Sequence, residues 1–295
     1  MQTHSMAGKT CLVTGATAGI GEVTATALAG MGARVLLVSR DQRRGDETLA
    51  RIRQAHPAAD VSFLQADLSS QAEIRRLAAE VLARLDRLDV LVNNAGAVFM
   101  ERKESVDGIE MTLALNHINY FLLTNLLLPL LKASAPARIV SVASTAHKMT
   151  GLNFDDLQGR RSFNGMVIYG QSKLANIVWT NELARRLAGS GVTANSLHPG
   201  VVATKFGHNN QGLAARLAVL AFKVFGLSPE KGARTSIHLA SSPAVEGVTG
   251  TYFVNRKPAK PAKQALDPAA GKLLWEISEQ LTAGAGAQAQ GGDAA

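Results

Sequence analysis

Tyr169 and Lys173 lie four residues apart in a stretch of helical composition, a spacing that places both side chains on one face of a helix. The phenol of tyrosine has a pKa of about 10, so it holds its proton near pH 7. A lysine ammonium about 4 Å away favours the phenolate by roughly 4 kcal/mol at an effective dielectric of 20, or about three pKa units. The pair is therefore a candidate acid–base catalyst. Because this spacing also occurs by chance, the rest of the sequence must show whether the pair is functional.

The first elements of the chain predict a dinucleotide-binding turn. Residues 11–13 are a short apolar run typical of a buried parallel strand, and residues 22–30 have helical composition. Between them, Gly15 permits a tight turn, Gly19 lets the backbone approach a diphosphate, and Gly21 allows close packing of the helix on the strand. The helix N-terminus supplies amides and the positive end of a dipole. A purely structural turn is the alternative.

The end of the second predicted strand, residues 34–38, indicates which dinucleotide binds. An acidic residue at this place would hold the ribose hydroxyls of NAD, but the chain has Ser39 followed by Arg40, with Arg43 and Arg44 close behind. A guanidinium pairs with a phosphate, so we expect NADP(H) to be preferred over NAD(H). In the alternative, Arg40 only begins an exposed loop.

Polar and small residues follow the next predicted strands. Asp67 ends the third strand, residues 61–68, where it either meets the adenine amino group or belongs to the turn. The fourth strand, residues 88–92, is followed by residues 93–96, whose small size suits a backbone lying against a cofactor. Residues 101–131 are predicted to be mostly helical, with an unusual amide at Asn116 and an end or bend at Pro129.

The second half of the chain continues the alternation. Predicted strands cover residues 137–144, 193–197 and 250–254, and helix resumes around Tyr169 through residue 187. Residues 1–8 are an N-terminal extension, residues 9–281 one domain with an apolar lid at 205–227, and residues 282–295 a disordered tail. Alternating strands and helices predict an α/β fold, a doubly wound parallel sheet that binds its ligand at the carboxyl ends of the strands.

Composition narrows the class of protein. The 295 residues are 46% hydrophobic and 18% charged, as in globular enzymes, and the net charge of +8 comes from dispersed basic residues, so nucleic acid is not an expected partner. The single cysteine, Cys11, excludes an internal disulfide framework. We expect neither a signal peptide nor a transmembrane segment. The lid and the basic residues 255–263 are candidates for peripheral membrane contact. We expect no metal site. We expect the protein to be cytoplasmic.

In their order, these motifs resemble the short-chain dehydrogenase/reductases. The matching motifs are Gly15-x-x-x-Gly19-x-Gly21, Asn93-Asn94-Ala95-Gly96, Asn116, Ser144, Tyr169-x-x-x-Lys173 and Pro199-Gly200. The likeness runs from about residue 7 to 281. More narrowly, the chain is similar to the retinol dehydrogenase group and to WW-domain oxidoreductases. That likeness is carried by Asn116-His117, Ser144-Thr145-Ala146-His147, the wide gap before Tyr169, and Leu274-Trp275-Glu276-Ile277-Ser278.

The resemblance assigns roles to the catalytic residues. Tyr169 would exchange a proton with the substrate oxygen, Lys173 would lower the pKa of that phenol and hold the nicotinamide ribose, and Ser144 would bond to the substrate oxygen. Asn116 would position a water in a proton relay. Ser141 is a rival for the role of Ser144, but lies at the wrong distance from the catalytic end of its strand.

The resemblance also implies the cofactor site. The expected contacts are Gly15, Thr17, Ala18, Gly19, Ile20, Gly21, Arg40, Asp67, Leu68, Asn93, Ala95, Gly96, Tyr169, Lys173, Pro199, Gly200, Val202 and Thr204, the last near the nicotinamide amide. His147 and His198 have no assigned role, and His198 is expected to be structural. A dimer or tetramer through the long helices is implied.

Three functions remain open at this stage. The favoured one is an NADP-dependent oxidoreductase that moves hydride between nicotinamide and an apolar carbonyl or alcohol, retinal-, aldehyde- or ketone-like. The second is an NADP-binding regulator or scaffold without turnover, which would not need Tyr169 and Lys173. The third is a nucleotide-sugar epimerase or dehydratase, which shares the pair but usually has a longer substrate domain.

Overall fold

A parallel β-sheet forms the centre of the molecule, as the computed structural model shows for residues 5–200 and 228–283. In these ranges the strand order is β3-β2-β1-β4-β5-β6-β7-β8, with β1 to β7 parallel and β8 antiparallel to β7. The strands are β1 Thr10–Thr14, β2 Arg34–Ser39, β3 Val61–Gln65, β4 Val90–Asn93, β5 Ala137–Val142, β6 Val192–His198, β7 Tyr252–Val254 and β8 Lys257–Pro258. The reversal of strand order between β1 and β4 confirms the doubly wound sheet.

Helices cover both faces of the sheet. They are α1 Gly19–Gly30, α2 Gln42–Ala55, α3 Gln71–Arg84, α4 Met111–Leu113, α5 Asn119–Ala133, α6 Gly165–Arg186, α7 Pro229–Ser241 and α8 Pro268–Thr282. A π-helical turn, Ala114–Ile118, joins α4 to α5. Leu12, Leu36 and Leu91 pack on the side of α3, α5 and α6, whereas Val13 and Val35 pack on the side of α1. Because both faces are buried, these strands are apolar throughout rather than alternating.

Side-chain caps fix where several helices begin. Asp41 accepts a hydrogen bond from Arg44 N at 3.0 Å and starts α2, and Ser70 accepts from Glu73 N at 3.4 Å and starts α3. Ser228 caps α7, with Pro229 in its first turn. These caps satisfy amides that have no partner within the helix.

The predicted helix over residues 101–131 is wrong at both ends. Residues 101–110 form a turn, in which Glu104 and Glu110 pair as an antiparallel bridge around Gly108, with φ of +71°. Helix begins only at Met111, where the Glu110 carboxylate accepts from Leu113 N at 2.7 Å. At the other end, α5 continues past Pro129 to Ala133. Pro129 is exposed, so the carbonyl that loses its helical partner lies toward solvent.

Other boundaries also differ from the predictions. Strand β3 ends at Gln65, two residues before Asp67, and α6 begins at Gly165, four residues before Tyr169. The basic segment after β7 contains the short strand β8 rather than only a loop. Helix α7 was not predicted. The predicted lid at 205–227, and all but the first two residues of the predicted tail, lie outside the described residues.

Helix α6 is buried on every side. Each residue from Ile168 to Ala184 is buried, and α8 together with the turn Lys263–Leu266 packs against it. A helix of this kind belongs to the interior of a protein rather than to its surface. One helical stretch of the described residues, Met111–Ala133, is long and apolar enough to cross a membrane, but it is mostly buried inside the fold, as the core helix of a globular domain also is.

Candidate active site

The glycine turn after β1 has the geometry that was predicted. Gly15 and Gly19 have φ of +65° and +55°, the left-handed region that favours glycine. A Cβ on Gly15 would lie 2.9 Å from Ala95 Cα, and one on Gly21 would collide with the carbonyl oxygen of Gly15. Helix α1 has Ala18 at its N-cap, so no side chain there caps the amides of its first turn. These amides are placed to receive an anionic group such as a diphosphate.

Thr14 and Asn94 hold this turn against the end of β4. The hydroxyl of Thr14 accepts from Asn94 N at 2.9 Å and from Ala95 N at 3.0 Å. The Asn94 side-chain amide donates to Thr14 O at 2.8 Å. Neither residue was predicted to support the turn, although Thr14 directly precedes Gly15 and Asn94 belongs to the motif of residues 93–96. They are positioning residues of the cofactor site.

The ends of β2 and of the glycine turn are joined by side chains. Thr17 donates from its hydroxyl to the Ser39 hydroxyl at 2.9 Å, and Arg44 donates from Nη2 to Thr17 O at 3.1 Å. Arg40 is exposed at the end of β2. The guanidinium of Arg44 therefore lies at the glycine turn although it comes from α2, a proximity that sequence spacing alone does not show.

Asp67 and Leu68 follow β3. The Asp67 carboxylate accepts from Ser69 N at 2.9 Å and from the Ser69 hydroxyl at 2.7 Å, which is the turn role left open by the sequence. Leu68 is buried in the core between the sheet and α3. Contact of either residue with adenine stays a prediction.

Asn93, the last residue of β4, and Gly96, three residues later, have different surroundings. The Asn93 side chain donates to the Thr124 hydroxyl at 2.9 Å and so links β4 to α5, while contact of Asn93 with a cofactor stays a prediction. Gly96 lies beside Asn116 and Lys173, since a Cβ there would be 3.0 Å from Asn116 Oδ1 and 3.2 Å from Lys173 Nζ. The small residue at 96 thus keeps space open beside Lys173.

Asn116 lies in the π-helical turn, a feature often found at functional sites. Its side chain bonds twice to Ala97, accepting from N at 2.8 Å and donating to O at 2.9 Å. It also donates to the Ser172 hydroxyl at 2.9 Å, which in turn donates to Tyr169 O at 2.8 Å. The amide therefore connects the loop after β4 to the helix that carries Tyr169 and Lys173.

Lys173 is buried next to the end of β5. Its Nζ donates to Val142 O at 3.1 Å and lies 5.9 Å from the centre of the Tyr169 ring. Burial lowers the pKa of Lys173 to about 7, because the charged form loses hydration. Deprotonation of the lysine is therefore easier here than in water.

Tyr169 differs from the expectation that Lys173 lowers its pKa. Burial raises the pKa of Tyr169 to about 12, and a hydrogen bond with Ser144 lowers it only in part. The physical reason is that the phenolate, like the ammonium of Lys173, is poorly solvated in this interior. The phenol is consequently protonated at pH 7 in the protein without a cofactor.

Ser144, two residues after β5, caps the turn Thr145–Lys148, and its hydroxyl accepts from Ala146 N at 3.2 Å. The rival Ser141 is the penultimate residue of β5 and is fully buried. His198 accepts from Thr145 N on Nδ1 at 3.2 Å, a contact that fits the structural role expected of it. Burial lowers the pKa of His198 to about 4.

The remaining predicted cofactor contacts lie after β6. Pro199 and Gly200 follow the carboxyl end of that strand, and Gly200 has φ of +91°. Val202 and Thr204 lie outside the described residues. Together with the glycine turn and Gly96, this edge of the sheet has the donor amides, the small residues and the lysine that a nicotinamide dinucleotide requires. The residues present fit that group.

Comparison with known proteins shows which family has this arrangement of residues. Residues 9–212 match the model of the short chain dehydrogenase family. Mouse retinol dehydrogenase 14 is 46% identical over 288 residues, which is 94% of this chain and 86% of that protein. Human retinol dehydrogenase 11 is 41% identical over 279 residues, 95% of this chain and 87% of that protein.

Solved structures agree with the sequence comparison. An uncharacterized protein from Mycobacterium paratuberculosis superposes with a TM-score of 0.77 at 33% identity, covering 96% of both chains. The Pseudomonas aeruginosa RhlG/NADP active-site complex has a TM-score of 0.68 at 32% identity, covering 86% of this chain and 97% of that one. The chain belongs to the short-chain dehydrogenase/reductase family, as an oxidoreductase of its retinol dehydrogenase subgroup that binds a nicotinamide cofactor.

Proposed function

We propose that the protein is an NADP-dependent oxidoreductase that interconverts an apolar carbonyl compound and its alcohol, with Tyr169 as the acid–base group. The observation that carries the proposal is the meeting of Asn116, Ser144, Tyr169 and Lys173 in one buried cluster beside Gly96. These groups come from three parts of the fold, the π-helical turn, the segment after β5 and α6, and their convergence at the carboxyl edge of the sheet is the arrangement that proton transfer to a bound oxygen needs.

Each residue of the cluster has a defined task. The cofactor, when bound, supplies or accepts the hydride at the substrate carbon. Tyr169, protonated at rest, gives its proton to the carbonyl oxygen during reduction and takes it back during oxidation. The Ser144 hydroxyl donates to the same oxygen and stabilises the charge that develops there. Lys173 lies next to the tyrosine, where its charge favours the phenolate left by proton transfer. Asn116 holds the loop and the helix in place.

Preference for NADP(H) is supported by charge at the end of β2. Ser39 stands where an acidic residue would bind ribose hydroxyls, and two guanidinium groups, those of Arg40 and Arg44, follow it in the sequence. Arg44 is already held at the glycine turn through Thr17. Structures of relatives with bound NADP include RhlG and a gluconate 5-dehydrogenase from Beutenbergia cavernae. Phosphate recognition by arginine is the physical basis of the proposal.

An apolar substrate is supported by side chains around the cluster. Met100, Met149 and Met166 are 49%, 66% and 39% exposed, and each lies close in the chain to a site element. Met149 follows the turn capped by Ser144, and Met166 precedes Tyr169 by less than one helical turn. Flexible methionines suit binding of extended apolar molecules. The names of the relatives, retinol dehydrogenases 14 and 11, favour a retinoid-like alcohol or aldehyde.

We further propose a cytoplasmic location and a homo-oligomer. Because α6 is buried within one chain from Ile168 to Ala184, that part of the helix offers no face to a second copy. An oligomer would therefore use other surfaces. Size-exclusion chromatography with light scattering tests the oligomer, and cell fractionation tests the location and any peripheral membrane contact.

The deciding experiment measures NADPH oxidation with retinaldehyde, medium-chain aldehydes, steroid ketones and quinones. Wild type and Tyr169→Phe are compared, and NADPH binding is followed separately by fluorescence. We expect turnover on at least one apolar carbonyl, a loss of about 10²–10⁴-fold in Tyr169→Phe, and unchanged NADPH affinity. Tight NADPH binding without turnover on any of these compounds would favour a regulator, and tight binding of a nucleotide sugar would favour an epimerase or dehydratase.

A further inference from the structure

The C-terminal segment, defined as residues 262–282, is joined to the turn of Ser144 through His147. Ala262 N donates to His147 Nε2 at 3.1 Å, and His147 Nδ1 lies 2.6 Å from Ser144 O. Since Nε2 accepts, the ring proton is on Nδ1 and is donated to the Ser144 carbonyl. The imidazole is buried, and the Tyr252 ring packs edge-on against it with centres 5.1 Å apart. One side chain thus fixes the backbone of Ser144 relative to the C-terminal segment.

A second histidine joins the same segment to Asn116. His117 follows Asn116 in the π-helical turn, and its Nε2 lies 2.9 Å from the hydroxyl of Ser278 in α8. The Ser278 hydroxyl donates to Leu274 O at 2.7 Å, so it accepts from the His117 ring. His117 is therefore protonated on Nε2, the opposite tautomer to His147. Its neighbour Asn116 is the residue that bonds to Ala97 and Ser172.

A third contact reaches the loop before α6. Gln264 Oε1 accepts from Leu152 N at 2.7 Å, and the next residue, Asn153, donates from N to Gln171 Oε1 at 2.7 Å. Gln171 lies between Tyr169 and Lys173 on α6. The C-terminal segment also accepts a bond directly from α6, from Asn181 Nδ2 to Ala265 O at 2.7 Å. All four catalytic residues are thus carried by elements tied to one stretch of chain.

We propose that the C-terminal segment positions the catalytic centre, and that His147 and His117 are positioning residues which transmit its placement to Ser144 and Asn116. The inference rests on the proposed function, since it takes Ser144 and Asn116 to act in the proposed reaction. Neither histidine touches the reacting atoms in this scheme. Both side chains are buried; His147 bonds through both ring nitrogens, and His117 bonds through Nε2 to Ser278. The reaction depends on these bonds because small displacements of reacting groups lower rates strongly.

The His147 connection also depends on pH. A doubly protonated ring has donors on both nitrogens, so it can no longer accept from Ala262 N. Lys148 and His198 are the charged or titratable side chains that act electrostatically with the ring, and Tyr252 packs against it. Burial holds the pKa of His147 below its ordinary value, so the ring stays neutral and the connection persists at a pH where a free histidine is already protonated; further acidification protonates the ring and breaks the connection.

The test uses variants that each cut one connection in the full chain. His147→Asn keeps an amide donor near the Ser144 carbonyl, and His147→Gln keeps an amide acceptor near Ala262 N. Ser278→Ala removes the hydroxyl that accepts from His117. Thr282→Val is the matched control, because that hydroxyl, on the same helix, bonds only to carbonyls of α8 itself, Ser278 O and Glu279 O. For each we measure kcat and KM with an active carbonyl substrate, the NADPH dissociation constant by fluorescence, and Tm.

We expect both His147 variants to lower kcat about tenfold or more, and Ser278→Ala about threefold or more, with NADPH affinity within about twofold of wild type. Thr282→Val should leave kcat within about twofold. The wild type should lose kcat on acidification, at a pH below that at which a free histidine titrates, and His147→Gln, which has no titrating ring, should lose this acid limb of the pH profile.

Wild-type kcat in all three connection variants, or equal losses in Thr282→Val, would overturn the proposal, as would an unchanged acid limb in His147→Gln. If the His147 variants do not fold, unchanged kcat in Ser278→Ala suffices to reject it. Tyr169→Phe separates this outcome from failure of the proposed function. If that variant keeps turnover, the catalytic assignment is wrong; if it alone loses turnover, the assignment holds and the positioning role is wrong.

Discussion

The ammonium of Lys173 lies 3.1 Å from the carbonyl oxygen of Val142, the last residue of β5. This bond ties α6 to the strand end that precedes Ser144, so the distance between lysine and serine is set by the fold rather than by either side chain. The same carbonyl is 3.4 Å from the Tyr120 hydroxyl and 3.5 Å from Asn176 Nδ2. Three side-chain donors therefore bond to the Val142 carbonyl oxygen, and this restricts the position of the lysine ammonium.

Replacing Lys173 with methionine should stabilise the cofactor-free protein at pH 7 while removing turnover. Burial lowers the pKa of Lys173 to about 7, whereas the unfolded chain keeps that proton to about pH 10.4. Between these values the unfolded state binds more protons, so wild-type stability rises with pH. Urea unfolding at pH 7 and pH 9.5 checks this: the advantage of Lys173→Met should shrink at the higher pH. A variant less stable than wild type at pH 7 would contradict it.

Changing the arginines near the glycine turn should alter cofactor choice. Arg40→Asp should shift preference toward NADH, because a carboxylate repels the 2′-phosphate and binds ribose hydroxyls. Arg44→Ala should weaken NADPH binding by about tenfold or more, through loss of a charged phosphate partner and of its bond to Thr17. Arg43→Ala is the control, since that side chain is exposed and pairs with Glu47. If the ratio of the NADPH and NADH dissociation constants is the same in Arg40→Asp and Arg44→Ala as in the wild type, other residues recognise the phosphate.

The buried His117 should make the protein sensitive to acid. Burial lowers the pKa of His117 to about 4, with the Asn176 side chain opposing the shift. Below about pH 6.5 the unfolded chain binds a proton that the folded one refuses, so the free energy of unfolding falls as pH falls toward 4. The loss from this group alone is about 3 kcal/mol. In urea titrations at pH 7.5 and 4.5, His117→Gln should lose less stability than wild type between the two values. A loss as large as that of the wild type would contradict the assignment.

Gly21→Ala should weaken NADPH binding more than a glycine-to-alanine change that only strains the backbone. The added Cβ collides with Gly15 O, so the turn that faces the diphosphate must move. We expect the NADPH dissociation constant to rise by about tenfold or more, as for the loss of well-placed hydrogen bonds to a charged group. Gly108→Ala, where φ is +71° and nothing lies near the new Cβ, measures the effect of backbone strain alone. Similar NADPH affinity in the two variants would argue against the role of the turn.

The sequence predicted the sheet and the edge at which the site lies because both depend on local patterns. Apolar runs such as residues 11–13, followed by Gly15 and Gly19, specify a strand and turn without distant contacts. Helix α7 also has local signals that the sequence analysis did not use. Ser228 caps it, Pro229 lies in the first turn, and Glu230 adds an acidic residue there.

Other features depend on tertiary contacts. Residues 101–104 favour helix by composition, yet they fold back on Glu110 around Gly108, whose positive φ ends any helix. The pKa values of Tyr169 and Lys173 follow from how deeply the chain buries them, which a four-residue spacing does not specify. Likewise, the bond from Arg44 to Thr17 spans 27 positions of sequence.

The complete burial of α6 from Ile168 to Ala184 has a consequence for sequence variation. Most helices of globular proteins tolerate change every third or fourth residue, where they face water. Here no position in that range does, so a saturation mutagenesis scan should show intolerance to newly introduced charged residues at every position except those of the native Lys173 and Glu182, instead of a helical period. The pattern of permitted substitutions in this stretch would thus hide its helicity, even though it is one of the longest helices the described ranges contain.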